Sequence, residues 1–224
     1  MSGTIMQGGE KMSEYLPIFN ANLERVDSLC NIYTKMRNDG FSDGKDYKLT
    51  DMLRAAIVML HSAFEEYYRN VIKQWLPTKG DKKTLETIAL PVDAGKQGGT
   101  KYALYSLMDY KDKTINDLFV AAVNEHMSRQ SFNSFEEICK WSCKISLDLS
   151  NFTSLPEKYY EDIDKAVHRR HKIVHEADTK HSGEKQTGRL NPIMPGTVLQ
   201  WKEAYQKLVQ VIDAQIDLWS ENNT

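Results

Sequence analysis

Apolar residues recur at three- and four-residue spacings along most of the chain, and strand-like alternation is nearly absent, so the pattern predicts amphipathic helices. The first predicted helix covers about 13–38. The second begins at Thr50 as N-cap and stops at Pro77. Its apolar stripe is Leu53, Ile57, Leu60, Phe64, Tyr68, Val71 and Trp75.

Further helix signals follow. Helices are predicted over about 114–127 and, after a capping box at 134–137, as far as about 144. A second box at 154–157 opens the next helix, a polar loop covers 178–189, and Thr197 with Gln200 caps the last helix. We therefore expect an all-α, single-domain bundle of five or six helices over residues 13–224, preceded by a flexible tail over residues 1–12.

Composition narrows the possible classes of protein. The 224 residues carry a formal net charge of −2, so any nucleic-acid site must come from a local basic cluster. The three cysteines favour free thiols in a reducing compartment over a disulfide framework. No apolar run approaches the roughly 18 residues of a membrane span, and no signal peptide is apparent. We expect a cytoplasmic protein that does not bind membranes.

Candidate chemistry concentrates in residues 168–175, which hold three of the six histidines. Arg170 falls on an apolar stripe with Ile163, Val167 and Val174, where a charge is costly unless it is paired. A structural ion pair or a snorkelling arginine would explain Arg170 alone. His168, His171 and His175 share one helix face beside it, which favours a functional site. Histidine moves protons near neutral pH, and arginine binds phosphate.

Zinc is the main alternative ligand, because histidines at these spacings can converge on a metal ion. Arg169, Arg170 and Lys172 would repel a cation, so an anionic phosphate fits the run better. We predict no metal site and no cofactor.

The segment from Arg170 to His175 resembles the arginine–polar–three residues–histidine motif of the HEPN superfamily. The longer string over 169–178 is particularly similar to the RiboL-PSP branch, as is the helical segment over 51–69. The resemblance spans roughly residues 50–178. It implies an all-helical domain that usually dimerises, with the two motif helices forming one cleft. Many members are metal-independent endoribonucleases, often toxins or antiphage effectors, and others are binding modules.

The resemblance implies catalytic roles for Arg170 and His175, with His171 at the polar position of the motif. As a hypothesis, His175 acts as base or acid, Arg170 stabilises the transition state, and the products carry 2′,3′-cyclic phosphate and 5′-hydroxyl ends. Substrate-binding roles are predicted for Arg169 and Lys172, with solvated helix charge as the alternative for Arg169. Glu65 is predicted to orient Arg170 or His175, or else to form a surface pair.

The sequence therefore predicts a homodimeric endoribonuclease, a toxin or defence effector that acts on RNA and is restrained by a partner protein. The alternative is a catalytically inactive adaptor that binds a protein or a nucleotide. Aromatic residues on the helix stripes are expected in the core rather than stacked on bases: Tyr67, Tyr68, Trp75, Trp201 and Trp219.

Overall fold

A computed structural model describes residues 15–41, 47–89, 110–147, 149, 156–182 and 185–221. This part of the chain forms seven α-helices and one β-hairpin, so the all-α prediction is confirmed with a helix count slightly above five or six. The elements are α1 (Tyr15–Asn38), α2 (Tyr47–Lys79), α3 (Lys82–Thr87), α4 (Ile115–Ser128), α5 (Phe135–Lys144), α6 (Glu157–Glu176), β1 (Thr179–Ser182), β2 (Lys185–Leu190) and α7 (Pro195–Glu221). The expected tail over 1–12 lies outside the described residues.

The long helix α2 is the centre of the bundle and packs against α1, α4, α5, α6 and α7. Its predicted apolar stripe is buried along its whole length, as periodicity indicated. The core positions of Tyr67, Tyr68, Trp75 and Trp201 are confirmed, whereas the Trp219 side chain lies outside the described part. No described helix combines the length and apolar character needed to cross a bilayer.

Both predicted ends of α2 are wrong by a few residues. The helix begins at Tyr47, so Thr50 is not its N-cap; the Thr50 hydroxyl accepts a hydrogen bond from Arg54 Nη1 at 2.7 Å. At the other end α2 continues past Pro77 to Lys79. Proline removes only its own N–H bond there, and Gly80 N donates to the Leu76 carbonyl at 2.9 Å just after the helix.

The connector after α2 contains the short helix α3, which the apolar pattern did not predict. Asp81 caps it by accepting a hydrogen bond from Thr84 N at 2.9 Å. Six residues are too few to show a helical period. The following residues 90–109, with the predicted loose stretch over 95–100, lie outside the described part.

The predicted capping boxes are only partly present. The Ser134 hydroxyl accepts from Glu137 N at 3.1 Å, but the Glu137 carboxylate accepts from Asn133 N rather than from the cap residue. For α6, Ser154 lies outside the described residues, and Pro156 occupies the N-cap position without a side-chain hydrogen bond.

The predicted loop over 178–189 is also wrong, because β1 and β2 pair there as an antiparallel hairpin. Almost every residue in this stretch of the sequence is polar, so it lacks the alternation that indicates a strand. The last helix begins at Pro195, a residue favoured in the first turn, and not at Thr197. Gln200 Nε2 instead donates to both oxygens of Asp162 on α6, at 2.9 and 2.8 Å.

Candidate active site

The motif residues lie in the last two turns of α6. Ile163, Ala166 and Val167 bury one side of this helix against the bundle. Arg170 follows on the same side and is half-buried. The stripe then reaches the surface, since Val174 is 49 % exposed. Arg170 therefore stands where the covered part of the helix gives way to solvent.

Arg170 lies near a small group of buried polar side chains on α2 and α7. Its Nε atom is buried and has no hydrogen-bond partner among the described residues. The positive charge acts on Glu65 and Tyr205, the nearby acidic groups. We call His61, Glu65, Arg170 and Tyr205 the Arg170 cluster.

Glu65 is buried at 9 % exposure, so the predicted pair with His61 is present but lies inside the bundle and not at the surface. Its Oε1 accepts from Phe132 N at 3.1 Å and lies 3.6 Å from His61 Nε2. Burial by itself would raise the pKa of this carboxyl, but His61, the Phe132 N–H and Arg170 together lower that pKa below its ordinary value. Glu65 is consequently held as a carboxylate inside the fold.

His61 and Tyr205 complete the Arg170 cluster. His61 Nδ1 lies 2.9 Å from the Tyr205 hydroxyl, and both side chains are fully buried. Burial, followed by the charge of Glu65, raises the pKa of Tyr205, which keeps it protonated. The neutral hydroxyl can then either donate to or accept from His61.

The two motif histidines lie on the outer side of α6 and are exposed. The rings of His171 and His175 are in contact, with centroids 4.5 Å apart and planes inclined by 42°. One helical turn separates them, which explains the contact. His168, a further turn back, is also exposed, and Lys172 is half-buried. Imidazoles open to solvent can exchange protons with a bound ligand.

The end of α6 adopts an unusual backbone. Ala177 and Asp178 have φ angles of 49° and 55°, in the left-handed region that non-glycine residues rarely occupy. The Lys172 carbonyl accepts hydrogen bonds from both of their N–H groups. The chain therefore turns sharply out of the helix two residues after His175.

A buried ionic group holds this turn. The Asp178 carboxylate is 0 % exposed, and its Oδ2 accepts from Arg54 Nε at 2.7 Å and from Arg169 Nη2 at 2.9 Å. Both guanidinium groups also donate to the Asn191 carbonyl, at 2.8 and 2.9 Å respectively. We call Arg54, Arg169, Asp178 and Asn191 the helix-end cluster.

Sequence reasoning did not single out Arg54 and Asn191. Arg54 carries the same signal that identified Arg170, because it is a charge beside the core stripe, between Leu53 and Ile57. Asn191 gives no comparable signal, since asparagine is ordinary in a loop. Lys172 and Arg169, both predicted to bind substrate, differ in the structure: three acceptors already surround Arg169 Nη2.

Within the described residues, no three His, Cys, Asp or Glu side chains are arranged to hold a metal ion. Cys30, Cys139 and Cys143 are free thiols. An apolar groove of about 590 Å³ lies between α2 and the end of α6, beside Arg54, and is lined by Val58, Met59, Ile173 and Leu190 among others.

Comparison with known proteins supports the resemblance seen in the sequence. No curated protein and no solved structure matches this chain. The family model described as RiboL-PSP-HEPN matches residues 20–218, a wider span than the motif and its neighbouring helix. The chain therefore belongs to the RiboL-PSP-HEPN family, which is a HEPN-type family.

Proposed function

We propose that the protein is a metal-independent endoribonuclease whose catalytic residues are Arg170, His171 and His175. One observation carries the proposal: a half-buried arginine that forms no hydrogen bond with a described residue shares the last two turns of α6 with two exposed, contacting imidazoles. The charge of Arg170 acts on the buried Glu65 carboxylate, while its guanidinium forms no hydrogen bond with a described residue. The exposed imidazoles can move protons. An anionic phosphodiester matches both features.

The reaction follows from these groups. His175 removes the proton of the ribose 2′-hydroxyl, or in its protonated form donates a proton to the departing 5′-oxygen. The 2′-oxygen bonds to phosphorus as the bond to the 5′-oxygen breaks, leaving a 2′,3′-cyclic phosphate and a 5′-hydroxyl. Arg170 stabilises the negative charge that develops on the phosphoryl oxygens. His171 contacts the His175 ring and restricts its orientation.

A homodimer explains how both residues reach one phosphate. Five residues along an α-helix correspond to a rotation of about 140°, so Arg170 and His175 of one protomer point to different sides of α6. Two copies of α6 packed around Val174, which is 49 % exposed, would bring Arg170 of one protomer towards His175 of its partner. We propose that the active cleft is formed in this way.

Substrate binding then depends on local charge, because the net charge of the chain is −2. Half-buried Lys172, next to His171 in the chain, is the cation proposed to bind a flanking phosphate, and Glu65 positions Arg170 from inside the bundle. DNA lacks the 2′-hydroxyl and is expected to resist cleavage. We propose a cytoplasmic toxin or antiphage effector, restrained by a separate protein until it is released.

The test compares wild type with Arg170→Ala and His175→Ala on total cellular RNA in EDTA, with mapping of the cleaved ends. His168→Ala is the matched control, since it removes an exposed histidine of the same helix outside the proposed catalytic set. We expect only wild type and the control to cleave RNA, and the fragments to carry cyclic phosphate ends. Equal cleavage by all four proteins would sink the assignment.

An inactive adaptor is the competing function, and the same experiment separates it. Folded, dimeric wild type that leaves every RNA intact, both alone and after separation from any co-purifying protein, would support the adaptor. Cleavage that is lost in EDTA and restored by a divalent metal would instead contradict the metal-independent mechanism.

A further inference from the structure

We propose that Asp178, Arg54 and Arg169 are positioning residues for the reaction, because they fix the last turn of α6 and with it the imidazole of His175. The inference rests on the proposed function and deepens it. It also changes the role of Arg169, which the sequence suggested as a phosphate ligand, to one exerted from inside the protein.

The helix-end cluster joins two helices to the hairpin. Arg54 belongs to α2, Arg169 to α6, and Asp178 and Asn191 to the two ends of the hairpin. Arg54 donates from all of its nitrogens, to Asp178, Asn191 and Thr50 as well as to Asp51. One carboxylate and one carbonyl are thus shared by two guanidinium groups from different helices.

A second set of hydrogen bonds, between Asn191 and Asp178, closes the hairpin. Asn191 N and Nδ2 both donate to the Asp178 carbonyl at 3.0 Å, and Nδ2 also lies 3.2 Å from Asp178 Oδ1. Together with the two arginines, these bonds determine both the backbone and the side chain of Asp178. They hold Ala177 and Asp178 at positive φ, a conformation that persists only where the surroundings impose it.

The cluster brackets the motif: Arg169 directly precedes Arg170, and Asp178 follows His175 by three residues. Any movement of the Asp178 turn therefore moves the final turn of α6 relative to α2. Displacing a reacting group by about 1 Å can lower a rate on the order of 10²-fold.

Stability alone does not account for such a cluster. A buried ionic group loses the solvation of its charges, and well-packed apolar residues of similar size often stabilise a fold as well or better. What charged hydrogen bonds add is direction, since a guanidinium fixes its acceptors in one plane. An orienting role explains why charge is present at this position.

The phosphate-binding alternative for Arg169 meets a geometric objection. Its Nη2 already lies 2.9, 2.9 and 3.1 Å from Asp178 Oδ2, Asn191 O and Pro192 O, so acceptors outnumber the two protons of this nitrogen. Presenting this end of the guanidinium to RNA would break the contact with Asp178. Positioning and phosphate binding by the same nitrogen therefore exclude one another.

The experiment measures kcat and KM on one defined RNA for wild type, Arg169→Gln and Asp178→Asn, well below the unfolding temperature of each. Lys165→Gln is the control, because Lys165 forms an exposed pair with Glu161 on the same helix. We expect kcat to fall about 10- to 100-fold with KM changed less than about twofold, and the control to match wild type.

Two kinetic results would overturn the proposal. A rise in KM at unchanged kcat for Arg169→Gln would make Arg169 a phosphate ligand. Wild-type kcat in folded Asp178→Asn would show that the carboxylate does not position His175. If Asp178→Asn does not fold, Arg169→Gln still decides the question, since the pair between Arg54 and Asp178 remains.

Hydrogen exchange separates this proposal from the proposed function. Amides of residues 173–176 are expected to exchange roughly fivefold faster in Arg169→Gln than in Lys165→Gln, and unchanged exchange would refute positioning. A wild-type protein that cleaves no RNA would refute the nuclease. Faster exchange in Arg169→Gln would even then show that the cluster fixes the helix end, so the two failures remain distinguishable.

Discussion

The helix-end cluster contains Arg169 and the Arg170 cluster contains the next residue, yet the two arginines differ in the hydrogen bonds that they form. Arg169 donates to a carboxylate and two carbonyls, and its partner Arg54 donates from every nitrogen. The Nε atoms of Arg169 and Arg170 are both buried without a hydrogen-bond partner among the described residues, so the difference lies in the rest of each guanidinium. Arg169 is held through Nη2, whereas Arg170 forms no hydrogen bond with a described residue.

The two neighbouring arginines thus differ in how far the fold already satisfies their guanidinium groups. Buried polar groups in proteins are normally satisfied, so those left unpartnered beside an opening to solvent require an explanation. Under the proposed function, a phosphate oxygen of the bound RNA accepts from Arg170. Arg169 points to a different side of α6, because one residue along a helix rotates the side chain by about 100°. Its Nη2 therefore reaches Asp178 inside the fold.

The largest effect is expected when Arg170 is exchanged. Arg170→Ala should lower kcat on RNA by about 10²- to 10³-fold, because it removes stabilisation of the transition state. The unfolding temperature should fall only slightly, since Arg170 forms no hydrogen bond with a described residue and its charge is the last of the causes that lower the Glu65 pKa. Kinetics and thermal unfolding of the same preparation check both parts; a large loss of stability would break the comparison.

Removal of the shared carboxylate tests the other cluster. Asp178→Ala should cost about 3–5 kcal/mol in free energy of unfolding, because two guanidinium groups lose their buried counter-charge. Urea unfolding followed by circular dichroism measures the cost. Glu161→Ala, which breaks an exposed pair on α6, should cost no more than about 1 kcal/mol. Similar costs for the two variants would contradict the buried role of Asp178.

The exposed end of the α6 stripe tests the dimer. Val174→Asp should raise the dimer dissociation constant on the order of tenfold or more, because it places a charge in an apolar contact. Sedimentation over a concentration series measures it, and Leu199→Asp, which changes another exposed apolar residue, is the control. Dimerisation that is unaffected by Val174→Asp, or disrupted equally by both changes, would refute pairing through α6.

The smallest effect concerns acid stability. The pKa of Glu65 is lowered in the folded protein, so its carboxylate stabilises the fold above the ordinary glutamate pKa, and that contribution is lost as pH falls through the folded value. Wild type should therefore lose stability more steeply below about pH 4.5 than Glu65→Gln. Parallel pH dependences in thermal unfolding would show that Arg170 and His61 do not act on this carboxyl.

Periodic elements were predictable and local geometry was not. The stripe of α2 is buried as its spacing indicated, because burial of one helix face needs only a repeat of about 3.6 residues. The ends of α2, the short α3 and the polar hairpin were missed, since each depends on a few hydrogen bonds rather than on a repeat. Gln200 illustrates this: a capping residue by its spacing, it instead bonds Asp162 across two helices.

Helical periodicity and the interruption of an apolar stripe by Arg170 could be read from the sequence, as could membership of the RiboL-PSP-HEPN family, which a family model shows over residues 20–218. It took the packed structure to show that Arg169 Nη2 donates within the fold while Arg170 forms no hydrogen bond with a described residue. The reason is that Asp178, Arg54 and Asn191 come from distant segments, and their shared hydrogen bonds exist only after α2, α6 and the hairpin have packed together.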